Sequence, residues 1–403
     1  MALTNMESDI QIPSSTPLDL HLDHPTVEEC IQIWSETADS WKDSLTIPKY
    51  IHEAEYLTTV PLAKDGGMTT WVLVEKDRLP NERTILCSCE SFRKRCLTSD
   101  VNGNIMEGIV HGIASVFCPA ELRGCSYGAR HMKELAKVLH GWQSEYGKSI
   151  GSILYSDIGK EYYTRWGWPP NLTNGHFVLP AAKMEKPAAT QPILESDLEH
   201  LCSRDEAMIY NAMAMPSTSR KRVVILPDMD HMLWHIRKED FATNHIFGKT
   251  AQAKGAIAGV PGKQVWAIWV HRYYEHPNYP NEEKQGDQNV LYILRLVVEG
   301  DATANKPREP YFTIAMDGNK EEAAALEAVM QAAQAEAADW GLDQVQLWEP
   351  SPMVQSILEQ SNLNPVYVER QSHSIASVLW FEEGGNVQDD HPILINNEHY
   401  AWC

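Results

Sequence analysis

Apolar positions in this chain recur with two periods. Short alternating or continuous apolar runs at 18–22 (LDLHL), 69–74 (TTWVLV), 84–91 (TILCSCES), 109–117 (IVHGIASVF), 152–155 (SILY) and 176–179 (HFVL) predict β-strands. Between them the period lengthens to three or four. Val27, Cys30, Ile31 and Trp34 follow a helix-opening Pro25-Thr26, further helices are predicted over 50–56 and 127–146, and the short run IGKEYYTRWG is ended by Pro169-Pro170. This order predicts an α/β domain over 17–182, preceded by a polar tail at 1–16. The stretch 183–192 (KMEKPAATQP), rich in Pro and Ala, predicts a linker.

Residues 193–381 repeat the order more faintly, as a second α/β domain. Strands are predicted at 265–270 and 290–298 around the turn-rich HPNYPNEEKQGDQ. An Ala-rich helix over about 320–340, a strand at 345–348, a helix at 352–360 and a strand pair between 366 and 380 follow. The stretch leading into the Ala-rich helix, AMDGNKEEAAAL, carries acidic residues where an anion site needs none. The tail 382–403 ends in aromatics, so it is expected to dock near the acceptor site.

The 403 residues, 43% of them apolar, supply material for more than one core. A net charge of −21 repels nucleic-acid backbones and anionic membranes and suits a cationic substrate. Eight cysteines in a chain this long make no disulfide framework, and the first residues lack a signal peptide's basic start and apolar centre. A reducing, cytoplasmic location is therefore expected. No apolar run approaches the roughly twenty residues that cross a bilayer. Oligomeric state is not legible.

The stretch 113–132 (IASVFCPAELRGCSYGARHM) carries the clearest chemistry. A strand leads into a loop of small residues and then a helix N-terminus, whose free N–H groups and dipole suit a phosphate. Several nucleotides fit such a loop. The strand before it, and the Tyr-rich helix ending in Gly167-Trp168 after it, narrow the choice: residues 17–180 resemble the Gcn5-related N-acetyltransferase (GNAT) superfamily. Its loop pattern, Arg/Gln-x-x-Gly-x-Gly/Ala, is met by Arg123, Ser126, Gly128 and Ala129, with Ser126 replacing the middle glycine. Serine adds a Cβ but also a hydroxyl donor and an N-cap oxygen.

The resemblance implies the GNAT fold, a mixed, mostly antiparallel central sheet flanked by helices, followed by a degenerate GNAT-like copy without cofactor. It implies acetyl-CoA held by Val116, Phe117 and Cys118 on a splayed strand, by the loop Arg123, Gly124, Cys125, Ser126, Tyr127, Gly128 and Ala129, and by Ser156. A backbone N–H near Val116 would polarise the thioester carbonyl. Tyr163, four residues before Gly167, matches the tyrosine that protonates the leaving thiolate. Tyr162 is the alternative acid, and either could be a core aromatic. Asp157 and Tyr162 are candidate substrate contacts.

VFCPAELRGCSYGARHM, LYSDIGKEYY, Trp166-Gly167 and the ending NNEHYAW further resemble the fungal lysine N6-acetyltransferase family. That implies transfer of acetyl to the ε-amine of free L-lysine. Other small amines, a protein lysine, or a silent acyl-CoA-binding module are the alternatives. Lysine needs a base, and His111, Glu107 and Asp157 are candidates, none singled out. Cys87, Cys89 and Cys96 lack zinc-ligand spacing, so no metal is expected. Cys118 and Cys125 are expected to pack, without an activating histidine. Trp266, Trp269, Tyr273, Tyr274 and Trp348 fit either a cleft or a core.

Overall fold

The computed structural model describes residues 19–217, 220–278, 289–304, 320–381 and 392–402. Outside them lie the polar tail, Leu18, most of the HPNYPNEEKQGDQ loop, the first five residues of AMDGNKEEAAAL, residues 382–391 and Cys403. The first half runs β1 (Leu20–Asp23), α1 (Val27–Trp41), α2 (Ile47–Leu57), β2 (Met68–Glu75), β3 (Cys87–Ser99), β4 (Ile105–Phe117), α3 (Tyr127–Leu139), β5 (Ser149–Ser156), α4 (Glu161–Thr164) and β6 (Gly175–Pro180). Then come β7 (Thr190–Ile193), α5 (Glu195–Met213), β8 (Arg222–Ile225), α6 (Met229–Phe247), β9 (Gly255–Ala258), β10 (Val265–Arg272) and β11 (Val290–Val298). The chain finishes with α7 (Lys320–Asp339), β12 (Gln344–Trp348), α8 (Pro352–Gln360), β13 (Val366–Glu369), β14 (Ile375–Trp380) and β15 (Ile393–Ile395).

Local chemistry sets several boundaries. Thr26 opens α1 through a capping box: its hydroxyl accepts from Glu29 N at 3.1 Å while Glu29 accepts from Thr26 N at 2.9 Å. The helix predicted over 127–146 ends at Leu139, because Gln143, with φ 57°, turns the chain before the strand. The end of the Pro/Ala-rich stretch, Thr190–Ile193, forms β7 and pairs with β9.

Two mixed sheets result. One follows the order β1-β2-β3-β4-β5-β14, with β8 on the far end of β3 and β15 on β8; the other follows β13-β6-β12-β11-β10-β9-β7. Along those two orders the neighbours run antiparallel except β4·β5 and β11·β12, so each sheet has a parallel pair at its centre. Each half lends the other a strand. The 176–179 strand lies in the second sheet, and β14 joins β5 in the first. The pair predicted between 366 and 380 is thus two strands in different sheets, β13 on β6 and β14 on β5.

Strand alternation then builds the layers. Trp266, Ile268 and Val270 of β10 point into an apolar core shared with Val110 and Ile153 of the first sheet and Ile236 of α6. Val265, Ala267 and Trp269 point the other way, onto Leu326, Val329 and Ala333 of α7. On the outer face of the first sheet, Met132, Leu135 and Leu139 of α3 pack on Trp71, Ile113 and Leu154. The shared core fixes second-half residues against the first sheet, which positions the site.

Candidate active site

β4 and β5 pair in parallel from Ile109/Ser149 to Ile113/Leu154, and β4 then runs on without its neighbour to Phe117. A bulge drives the parting. Ser88 faces Phe117 and Glu90 faces Ala114, which leaves Ser115 and Val116 opposite Cys89 alone, and Ser115 takes the left-handed conformation (φ 53°). A cavity of about 530 Å³ opens at this fork. Such a volume falls within the roughly 300–1,000 Å³ of small-molecule sites.

Of the residues expected at the site, Val116, Ser156, Asp157 and Tyr163 line the cavity. The Ser156 hydroxyl is committed to its own turn, donating to Gly159 O at 2.9 Å, and Asp157 accepts from Ser374 N at 2.8 Å. Tyr163 packs among Ile113, Leu154 and Trp168, and burial keeps its phenol far above the usual range.

The loop residues gather beside the fork. Arg123 Nε donates to Cys118 O at 3.1 Å and its guanidinium lies over the Phe117 ring. Gly124 takes φ +82°, and a Cβ there would meet nothing within 4 Å, so this loop stands open. A Cβ on Gly128 would come within 2.9 Å of Tyr162 Oη and 3.5 Å of Cys118 Sγ, so glycine lets that hydroxyl sit against the start of α3. Tyr127 and Ala129 are buried, and Tyr127 packs on Leu20, Leu73 and Leu86. Cys87 hydrogen-bonds Cys118, and with Arg123 and the N–H of Gly128 it draws the Cys118 thiol below its ordinary range. Cys125 is half-buried beside Tyr127.

Ser126 departs from the expected N-cap. It precedes α3 in the left-handed conformation (φ 66°, ψ 14°), from which its side chain makes no capping bond. Glycine adopts this backbone without strain, so Ser126→Gly is expected to raise stability by about 1 kcal/mol. Thermal unfolding checks this; a fall in melting temperature would show that the hydroxyl has another task.

Two of the candidate bases stand away from the cavity lining. His111 is fully buried with its Nδ1 3.4 Å from Ser149 Oγ, and burial lowers its pKa to about 4. Glu107 accepts a hydrogen bond from Tyr210. Neither lines the cavity, whereas Glu90, which sequence reading passed over, does. Its carboxylate accepts from Ser115 Oγ at 2.9 Å, and burial, outweighing Ser115, Lys238 and Trp34, raises its pKa. A glutamate in the middle of TILCSCES was the available signal.

The remaining wall was also missed. Trp34, Trp41, Tyr50 and Glu53 come from α1 and α2; Trp234, Lys238, Arg272 and Trp402 come from the second half. Glu53 shares a helical face with the buried Tyr50 and Leu57, a carboxylate at a core position that sequence could have flagged. Trp402 is carried by a tail held at several points: Lys94 Nζ donates to Ala401 O and Tyr400 Oη to Ile225 O, both at 2.6 Å. Trp266, Trp269, Tyr273 and Trp348 are core residues, and Tyr274 stacks under Arg272.

The second sheet repeats the fork with a different outcome. β11 and β12 part after Ile293/Leu347, beside a bulge between β10 and β11. Leu296 stands three residues past Ile293, as Val116 stands past Ile113. Its N–H already donates to Glu398 Oε2 at 2.8 Å, and Glu398 is paired with Arg295, which also binds Asp205 at 2.7 Å. The tail therefore occupies that backbone donor, and Glu321 and Glu322 fill the first turn of α7.

Among the described residues no group of three or more His, Cys, Asp or Glu could hold a metal ion, and no helix is long and apolar enough to cross a membrane. Cys89 Sγ does lie 3.0 Å from His131 Nε2, a contact not legible in sequence, but burial raises the thiol's pKa and lowers the imidazole's to about 3, so neither is activated.

Residues 176–403 match the family model described as the LYC1 GNAT-like C-terminal domain. No curated protein matches the sequence. Among solved structures, Saccharomyces cerevisiae N-myristoyltransferase with bound myristoyl-CoA is similar in fold at 10% identity, over 97% of this chain and 88% of that one, with a TM-score of 0.50. A probable N-acyltransferase from Enterococcus faecalis V583 (9% identity, 90% and 72% covered, TM-score 0.48) and a GCN5-related N-acetyltransferase from Kribbella flavida (14%, 89% and 70%, TM-score 0.45) are also similar.

Proposed function

The chain belongs to the LYC1 GNAT-like family, and from that premise we propose that it transfers acetyl from acetyl-CoA to a small-molecule amine, the ε-amine of free L-lysine. The observation that carries the reading is the cavity at the β4/β5 fork, which brings a carboxylate, Glu90, and a phenol, Tyr163, into one lining. A base for the incoming ammonium and an acid for the departing thiolate are the two proton carriers this chemistry needs.

The cosubstrate supplies an activated acyl thioester. Backbone groups of Val116, Phe117 and Cys118 would hold its arm along the strand β5 has left, and the 123–129 loop would hold its pyrophosphate. The open face at Gly124 and the N-terminus of α3 fit that anion. Glu90, its charged form disfavoured by burial, takes the proton from the acceptor ammonium. As the neutral amine nitrogen bonds to the thioester carbon, a backbone N–H at Val116 would stabilise the negative charge on the carbonyl oxygen; as the C–S bond breaks, Tyr163 would give its proton to sulfur and recover one from the now cationic nitrogen, leaving a neutral amide and a free thiol. Trp234, Lys238, Arg272 and Trp402 close the acceptor side, which favours a small amine over a protein segment.

Incubation with acetyl-CoA and a panel of free amines, with products identified by mass spectrometry, tests the proposal. The expected product is N6-acetyl-lysine. Reaction of a polyamine or another amine with lysine untouched would replace the acceptor, and acetyl-CoA binding without thiol release would leave a silent acyl-CoA-binding module.

A further inference from the structure

We propose that an ion-pair cluster drawn from both halves of the chain reads the acceptor's head group, an α-ammonium beside an α-carboxylate, with Arg272 as the carboxylate anchor. The inference rests on the fork cavity being the acceptor site of an N-acetyltransferase.

Three charged side chains of that cavity, Glu53, Lys238 and Arg272, meet Asp43 at a small adjoining one. Lys238 Nζ donates to Glu53 Oε2 at 2.7 Å, and Arg272 donates to Asp43 through Nε at 3.1 Å and Nη2 at 3.4 Å. Glu53, Lys238, Arg272 and Trp402 line both the large cavity and a small adjoining one, which Asp43 also lines. Asp43 and Glu53 flank and belong to α2, whereas Lys238 is on α6 and Arg272 ends β10. The site is therefore incomplete without the second half.

Each of the two pairs joins a cation to an anion, and their arrangement selects for a ligand that carries both signs close together. A buried ion pair gives up hydration that its partner only partly restores, so each member gains from a further opposite charge. An amino-acid head group offers one to each pair: its carboxylate to Arg272 and Lys238, its ammonium to Glu53. A diamine brings the ammonium to Glu53 but no carboxylate, so it offers Arg272 and Lys238 nothing while adding a like charge beside them. A lysine within a protein brings two neutral amides.

Arg272 is built as an anchor. Its guanidinium lies 4.6 Å from the Tyr274 ring centre and 4.7 Å from that of Trp402, so aromatic faces hold the fork in place. Asp43 occupies Nε and Nη2, and among the described residues nothing is bonded to Nη1. A planar fork with donors to spare accepts a second carboxylate bidentately, which a lysine cannot do.

Titration calorimetry with and without coenzyme A tests this apart from turnover. The probes are L-lysine, L-lysinamide and 1,5-diaminopentane, which is lysine without its carboxylate. Wild-type protein is expected to bind lysine roughly thirtyfold more tightly than the diamine, the effect of a charge-assisted contact. Arg272→Met is expected to remove that preference by weakening lysine alone, and Arg272→Lys to restore only part of it. Should Arg272→Met fail to fold, as judged by its melting temperature, Lys238→Met and Arg272→Lys carry the same comparison. Equal wild-type affinities, or a variant that weakens lysine and diamine alike while staying folded, would overturn the proposal. Head-group selectivity without acetylation of any amine would uphold the anchor and remove the acetyltransferase reading; acetylation without selectivity would do the reverse.

Discussion

Tyr163→Phe is expected to lower kcat by about 10²–10³-fold while acetyl-CoA affinity stays roughly unchanged, the size of effect that loss of a positioned proton donor produces. The ring sits at 8% exposure between Ile113, Leu154 and Trp168, and phenylalanine keeps that packing. Burial raises the phenol's pKa, so the hydroxyl remains protonated throughout the neutral range. Stopped assays of thiol release alongside calorimetric acetyl-CoA binding read both quantities. Tyr162→Phe is the comparison, because Tyr162 Oη lies against Gly128 at the start of α3. A large fall in kcat for Tyr162→Phe with none for Tyr163→Phe would move the acid role to Tyr162.

For Glu90→Gln, kcat should fall about hundredfold at neutral pH, because the amide keeps the shape and its contact with Ser115 but takes up no proton. The pH profile separates this from a structural effect. A base works in its charged form, so activity rises as pH passes its pKa; burial places that pKa above the ordinary carboxylate range, with Lys238 and Trp34 opposing in part. Wild type should therefore show an acidic limb displaced upward, and Glu90→Gln should flatten it. An identical limb in the variant would assign the titration elsewhere, with Asp157 the next carboxylate on the cavity wall.

A strand's alternation says which face a side chain takes, not what stands opposite, and Glu90 matters because a bulge in β4 sets Ser115 beside it. The helix α6 is masked for a related reason. α6 buries His231, His235, Glu239 and Thr243 alongside its apolar residues, so its inward stripe is not hydrophobic and its period is masked. Those polar groups pay off in tertiary contacts: Lys254 pairs with Glu239 at 3.3 Å and His235 approaches Tyr400 O at 3.2 Å.

The sequence by itself determined what depends on neighbours along the chain. The strand and helix periods, the small-residue loop before α3 and the spacing of Tyr163 to Gly167 are local, because backbone conformation and side-chain facing follow from a few consecutive residues. Tertiary structure alone decided the pairings: which half each strand serves, the fork that parts β4 from β5, the tail's Glu398 on the Leu296 N–H, and the meeting of Asp43, Glu53, Lys238 and Arg272. Each joins residues far apart in the chain, and contact at that range is set by which apolar faces bury together, a property of the assembled core that no local window carries.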